Sequence, residues 1–159
     1  MKKIDKISFI LFGILIGSVC VISIFVLGDF FSISHYTLSF KVNGYTEENA
    51  LAICSGKDLK GTYNCLGAFI SGIYKYKKTK DSLNIDFETL KSEGGDCRNW
   101  QILTCELAKK MGYACTKVTI PVETKDNIRY KHTFAIIHSS EGYAKFDGKD
   151  NTNLFIYEK

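Results

Sequence analysis

Three residues of this sequence have the types and the order that a thiol nucleophile needs. Cys97 ends the segment Gly94-Gly95-Asp96-Cys97, His132 comes 35 residues later, and Asp147 follows after a further 15 residues. A cysteine attacks as its thiolate, an imidazole can accept the thiol proton, and a carboxylate can fix the tautomer and orientation of that imidazole. The sequence therefore predicts a catalytic triad of Cys97, His132 and Asp147.

Each of these residues also has a simpler interpretation. Cys97 could be a buried structural thiol, since free cysteine is among the most buried residue types. His138 lies on the same face of a straight strand as His132 and is the competing base. Asp147 precedes a glycine, as a turn-forming aspartate does. Asp150 can be read as a turn residue too, and it lacks the aromatic strand that precedes Asp147. The glycine-rich turn before Cys97 and the order of the three residues favour the catalytic interpretation.

The segment after Asp96 is predicted to be a helix that begins at Cys97. Asp96 is a good N-cap, and the two glycines before it allow a tight turn and close approach of a ligand to the backbone. Gly112 is a natural end for this helix, and apolar residues recur along it at spacings of three and four: Trp100, Leu103, Leu107 and Met111. Because a helix N-terminus favours negative charge, this position would stabilise a Cys97 thiolate.

His132 and Asp147 fall on predicted strands. A turn at residues 140–142 makes the last two strands antiparallel, and the three predicted segments are Tyr113–Val122, His132–His138 and Tyr143–Asp147. Two helices are predicted earlier, one after Thr46 and one after Asp58. Residues 34–42 read as a strand or extended linker, and residues 79–89 read as a loop. Helices followed by strands predict an α+β fold in which the Cys97 helix packs on an antiparallel sheet.

The N-terminus carries an apolar run that sets the expected domain organisation. Ile7 to Leu27 is 21 residues without a charge and follows three lysines. About 20 such residues cross a bilayer as a helix, and the lysines place the N-terminus in the cytoplasm. We expect residues 1–28 to be a cytoplasmic start and transmembrane anchor, residues 29–45 a linker or lead strand, and residues 46–159 the domain outside the cytoplasm. Within the run, Cys20 is interpreted as a membrane-facing apolar residue.

The expected localisation is therefore a single-pass protein of the cell membrane, in contact with the bilayer through its N-terminal helix. A cleaved signal peptide is the alternative interpretation, with Gly28 or Ser32 as the small residue near the cleavage site. In that case the domain would be secreted.

Charge and cysteine spacing exclude some classes of function. Beyond residue 28 the chain holds 18 basic and 16 acidic residues, a net charge of +2 without a basic stripe, so no nucleic-acid partner is expected. No cysteine pair has zinc-knuckle spacing, and no metal or other cofactor is expected. Two interpretations stay open for four further cysteines, two disulfides or four buried thiols: Cys54, Cys65, Cys105 and Cys115. Cys105 and Cys115 could face each other where the helix meets the first strand.

With these motifs in view, the chain resembles the transglutaminase-like superfamily of thiol enzymes, which has a papain-like fold. The resemblance covers about residues 60–150. It rests on four short motifs: Gly95-Asp96-Cys97, Lys110-Met111-Gly112-Tyr113, His132-Thr133-Phe134 and Phe146-Asp147-Gly148. It implies a papain- or transglutaminase-like α+β domain, preceded here by the one predicted transmembrane helix. The chain departs from the family at Thr133 and at the bulky Trp100-Gln101 pair, which leaves the substrate class open.

The resemblance also implies roles and partners. Cys97 would be the nucleophile, His132 the general base and acid, and Asp147 the orienting carboxylate, acting on an amide or ester of a protein, peptide or cell-envelope substrate. The Cys97 backbone N–H would be one oxyanion donor, and the candidates for the second are Tyr63, Asn64 and Trp100. Water as acyl acceptor would make a peptidase or amidase, and an amine would make a transferase.

Two other kinds of protein would fit the same residues. One is a catalytically silent module of this fold that uses the cleft to bind a peptide or cell-envelope polymer. The other is a structural protein in which Cys97 forms a disulfide with another cysteine.

Overall fold

The computed structural model describes residues 33–78, 86–124, 127–147 and 156–158. Residues 156–158 are described by their backbone only. Five helices come first and strands follow. The helices are α1 (residues 33–43), α2 (Glu47–Cys54), α3 (Leu59–Ile73), α4 (Phe87–Glu93) and α5 (Cys97–Lys110). The strands are β1 (Ala114–Glu123), β2 (Arg129–Ser139), β3 (Gly142–Phe146) and β4 (Ile156–Glu158), and they form one antiparallel sheet in that order.

Helix starts follow the local capping signals of the sequence. Thr46, Asp58 and Asp96 cap α2, α3 and α5, and each side chain accepts a hydrogen bond from a backbone N–H of the first turn. Gly112 has a positive φ of 91° after α5, a conformation that favours glycine at a helix end. The predicted starts of these three helices and the predicted end of α5 are confirmed.

The expected strand or linker at residues 34–42 is wrong, because residues 33–43 are helical. The helix buries Phe40 completely, and its ring lies 5.1 Å from that of Phe69 and 5.7 Å from that of Tyr45. Tertiary packing of this kind overrides a weak alternating pattern. The loop expected at residues 79–89 is wrong for its last residues, because α4 begins at Phe87 with Asp86 as its N-cap. Residues 79–85 of that loop lie outside the described residues.

The expected fold class also needs correction. It was a papain- or transglutaminase-like α+β domain with its catalytic helix on an antiparallel sheet, preceded by one N-terminal transmembrane helix. In its described residues the structure is a small α+β fold, and those residues give no support for the transmembrane helix. Within the described part of the chain, no helix combines the length and the apolar character needed to cross a bilayer. The predicted span at residues 7–27 lies outside the described residues.

Helix α5 packs against β1 and β2 and is tied to them covalently. On α5, Trp100, Leu103 and Leu107 are buried. On the facing strand β2, Ala135 and Ile137 are buried. A disulfide joins Cys105 of α5 to Cys115 of β1, and a second joins Cys54 to Cys65, at Cα–Cα distances of 5.2 and 5.5 Å. The two-disulfide interpretation is the one that the structure shows, including the Cys105–Cys115 pair.

Strand register determines where the predicted base lies. His132 pairs with Ile120 of β1, whereas the described part of β3 pairs only with residues 135–139 of β2. The β1–β2 ribbon therefore continues past the end of β3, and His132 lies on that extension, close to the point where β3 ends and Asp147 follows. Strands β1 and β3 are each shifted by one residue from their predicted bounds, β2 is longer at both ends, and β4 was not foreseen.

Candidate active site

Cys97 is the first residue of α5, as predicted, and two networks of hydrogen bonds hold it there. The Asp96 carboxylate accepts from the Arg98 backbone N–H at 2.9 Å, and the Asn99 side chain accepts from the Asp96 N–H at 3.0 Å, which completes a capping box. The Gly95 N–H donates to the Lys75 carbonyl, and the Gly95 carbonyl accepts from the Lys77 N–H, each at 3.0 Å. These bonds join Gly95 to the segment that follows α3. The start of the helix is therefore anchored on both sides of the cysteine.

The glycine pair before Asp96 serves chain packing rather than ligand approach. Gly94 has a positive φ of 87°, and a Cβ placed there would lie 2.6 Å from the Lys75 carbonyl oxygen. A Cβ on Gly95 would lie 2.5 Å from the end of the Leu90 side chain. The sequence suggested close approach of a ligand to these glycines, but the groups that approach them are the Lys75 backbone at Gly94 and the Leu90 side chain at Gly95.

The Cys97 thiol is reduced and partly exposed, while the other four cysteines of the described residues form disulfides. Its backbone N–H makes no hydrogen bond to any described residue, as expected for the first residue of a helix. A free thiol and a free N–H thus lie together at the positive end of the α5 dipole.

The thiol opens onto a cavity of about 650 Å³. Its lining comes from the start of α5, from the segment after α3 and from the β1–β2 ribbon: Tyr76, Lys78, Asp96, Cys97, Arg98, Thr119, Tyr130 and Lys131. This volume falls within the ~300–1,000 Å³ of typical ligand sites. None of the lining residues other than Cys97 and its cap was singled out from the sequence as part of a site.

His132 and Asp147 form the predicted contact, with Nε2 of the ring 2.5 Å from Oδ1 of the carboxylate. An ionised carboxylate only accepts hydrogen bonds, so Nε2 is the donor in this contact, and in the neutral form of the ring Nδ1 carries the lone pair. The other Asp147 oxygen accepts from Nζ of Lys145 at 2.9 Å, and that ammonium lies 4.4 Å from the centre of the Phe134 ring. Lys145 was missed, although its place two residues before Asp147 puts it on the same strand face.

Cys97 and His132 are not joined by a hydrogen bond in the described structure. The cavity lining does not include His132 or Asp147, but it does include Tyr130 and Lys131, which immediately precede His132 on β2. The cavity therefore borders the end of β2 that carries His132. The catalytic roles of Cys97, His132 and Asp147 stay a prediction.

The competing candidates occupy other positions. His138 is exposed at the opposite end of β2, in register with Ala114, and its ring lies 6.4 Å from that of Tyr143. His132, rather than His138, has the carboxylate partner. Asp150 lies outside the described residues.

Candidates for the second oxyanion donor can be narrowed. The Trp100 indole N–H donates to the carbonyls of Gly95 and Lys75, at 3.1 and 3.2 Å, and so is already engaged. Tyr63 is buried, and its pKa is raised to about 12, mainly by burial and further by the negative charge of Asp147. Its hydroxyl therefore stays protonated near the carboxylate end of the pair. Asn64 is also buried, at 7% exposure.

No group of three or more metal-ligating side chains occurs in the part of the chain that the structure describes. Comparison with known proteins assigns no relative: no protein-family model matches the sequence, and no curated protein matches it significantly.

Proposed function

We propose that this chain performs thiol-dependent acyl chemistry on an amide or ester substrate outside the cytoplasm, as the resemblance to the transglutaminase-like superfamily implies. The observation that carries the proposal is the free Cys97 thiol at a helix N-terminus, opening onto a cavity that also borders the strand bearing the His132–Asp147 pair. A reduced thiol beside disulfides is a candidate for reactivity rather than for structure.

The proposed reaction uses the atoms that the geometry leaves free. The thiol proton passes to Nδ1 of His132, since Nε2 is bonded to Asp147. The thiolate attacks the carbonyl carbon, and the oxyanion that forms accepts from the Cys97 backbone N–H. Collapse expels the amine or alcohol, which takes the proton from His132 and leaves a thioester. Water or a second amine then attacks the thioester, takes over the acyl group and returns the proton to the thiolate.

Catalysis requires the thiol and the imidazole to come within hydrogen-bonding distance. Catalytic hydrogen bonds are often long or misaligned before substrate binds and tighten in the substrate complex. A substrate that occupies the cavity would contact both the start of α5 and the end of the β1–β2 ribbon, so its binding could bring the two groups together.

The compartment is proposed from the cysteines. Two disulfides in a domain of this size are typical of an oxidising environment outside the cytoplasm. Cys97 can stay reduced there because the described structure places each of the other four cysteines in a bond.

An electrophilic acyl probe tests the proposal directly. The full-length chain would be incubated with a peptide acyloxymethyl ketone, and the labelled site would be mapped by mass spectrometry. We expect labelling at Cys97 that is lost in Cys97→Ser and strongly slowed in His132→Ala, while His138→Ala serves as the matched control and reacts normally. Labelling that is independent of His132 would contradict the proposed pair.

A second candidate is a catalytically silent module that binds a peptide or cell-envelope polymer in the same cavity. It is favoured by the lack of a hydrogen bond between Cys97 and His132 in the described structure. This function predicts that Cys97→Ser binds ligand as the wild type does and that no thioester accumulates with an ester substrate. A trapped acyl-enzyme in the wild type would decide against it.

A further inference from the structure

The cavity beside Cys97 carries more positive than negative side chains. Among the described residues of the lining, Lys78, Arg98 and Lys131 are positive, and Asp96 is the only acidic one. These residues come from three separate segments, so the charge is assembled by the fold. The sequence itself shows no basic stripe.

The one acidic group is already neutralised. Oδ2 of Asp96 accepts from the Arg98 guanidinium at 2.7 Å and 3.3 Å, and Oδ1 accepts from the Arg98 backbone N–H at 2.9 Å. Asp96 is buried, at 6% exposure. The charges of Arg98 and Asp96 thus offset each other, and the carboxylate also binds the start of α5.

The two lysines have no acidic partner among the described residues. Neither Lys78 nor Lys131 forms an ion pair with a residue that the structure describes. Together with the positive end of α5, they give the described part of the cavity a positive potential next to the thiol. An anionic group on a ligand would gain from both ammonium groups.

The aromatic residues of the lining favour a peptide as the carrier of that anion. Tyr76 and Tyr130 are 64% and 48% exposed, so their rings offer flat apolar surface beside the lysines. Tyrosine side chains combine apolar area with a polar end, which suits contact with a peptide chain. Phosphate is less favoured, because arginine is the side chain that binds it through a planar fork and the Arg98 fork is occupied by Asp96.

We propose that the Cys97 cavity binds an acidic peptide, with glutamate or aspartate carboxylates at Lys78 and Lys131 and the reacting carbonyl at the thiol. The inference rests on the proposed function for the chemistry at that carbonyl. The recognition itself depends only on the charges and rings of the lining.

Binding should be measured without turnover, in the full-length Cys97→Ser variant. The probe is a short peptide with two glutamates and an uncharged fluorophore, and its matched control has two glutamines. Fluorescence anisotropy should show about tenfold tighter binding of the glutamate peptide at low salt, as expected for two close charge pairs in water. The preference should shrink as salt screens the charges.

Variants then locate the site. Lys78→Ala combined with Lys131→Ala should remove the preference for glutamate, whereas Lys109→Ala, an exposed lysine of α5 outside the cavity, should leave it unchanged. Equal affinity for the two peptides, or a preference that survives the double substitution, would overturn the inference.

The acyl probe separates this inference from the proposed function. If an uncharged probe labels Cys97 while the peptides bind equally, the substrate class is wrong and the chemistry stands. If the glutamate peptide binds through the lysines but no probe labels Cys97, the cavity recognises acidic peptides and the proposed chemistry is wrong.

Discussion

Asp147 holds His132 by Nε2, at 2.5 Å, so the ring nitrogen left for a thiol is Nδ1, the one nearer the strand backbone. This arrangement assigns the tautomer that a general base needs, with a protonated nitrogen facing the carboxylate and a lone pair facing away. Lys145 shares the same carboxylate at 2.9 Å and fixes its second oxygen.

The first prediction follows from this contact. Asp147→Asn should keep the domain folded but lower any acyl-transfer rate by about a hundredfold or more, because an amide no longer enforces the tautomer or stabilises the imidazolium. The measurement is kcat on an ester substrate. Lys145→Met is the control and should have a much smaller effect, because it leaves the carboxylate in place and removes only a partly exposed ion pair. Equal effects of the two substitutions would contradict the tautomer role.

A second prediction concerns the turn before the cysteine. Gly94→Ala should destabilise the fold by about 1–3 kcal/mol from backbone strain alone, with a further loss from the contact at 2.6 Å with the Lys75 carbonyl. Gly112→Ala is the matched control: it has a similar positive φ of 91° but no atom within 4 Å of the added Cβ. Urea unfolding should therefore show the larger loss for Gly94→Ala. A larger loss for Gly112→Ala would argue against the packing role of Gly94.

A third prediction is the thiol map of the oxidised protein. Peptide mapping without reduction should find Cys54 linked to Cys65, Cys105 linked to Cys115, and Cys97 open to alkylation. Replacing Cys105 and Cys115 together by serine should cost about 2–4 kcal/mol of unfolding free energy. A linked peptide that contains Cys97 would instead support the structural-protein interpretation.

A fourth prediction uses the pH dependence of stability. The pKa of Tyr63 rises from 10.0 to about 12 in the folded chain, first because of burial and second because of Asp147. The folded state therefore keeps a proton that the unfolded state loses, so this stabilisation is complete below pH 10.0 and is lost as the pH rises through about 12. The expected loss is of order 2–3 kcal/mol.

Tyr63→Phe should flatten that alkaline decline, since it removes the titrating hydroxyl. Tyr143→Phe, at a ring that is 37% exposed, is the control and should not change the slope. Unfolding free energies from urea titrations at several alkaline pH values provide the measurement. Parallel slopes for the wild type and Tyr63→Phe would contradict the assignment.

The start of α5 could be predicted from sequence because its signals are local. Asp96 as a cap, the apolar spacing after it and Gly112 at the end lie within one short segment and agree with one another. The contact between His132 and Asp147 was predicted from their order on adjacent strands. That prediction held because an antiparallel pair brings such positions together.

Features that depend on distant segments could not be predicted in this way. Helix α1 is stabilised by the burial of Phe40 against Phe69, and the local pattern of residues 34–42 favoured a strand. The cavity likewise combines Lys78, from the segment after α3, with Lys131 of β2. No spacing rule links residues so far apart in sequence.

The last prediction tests the relation between the thiol and the imidazole, which the described structure leaves without a hydrogen bond. If His132 accepts the thiol proton, Cys97 should react with iodoacetamide at neutral pH faster than the cysteine of an unstructured peptide. His132→Ala should slow that reaction, and His138→Ala, on the same strand but without a carboxylate partner, should not. Adding a glutamate peptide that occupies the cavity should protect the thiol in the wild type. If Cys97 reacts at the unstructured rate in all three proteins, the pair is not formed and the binding module becomes the better account of this fold.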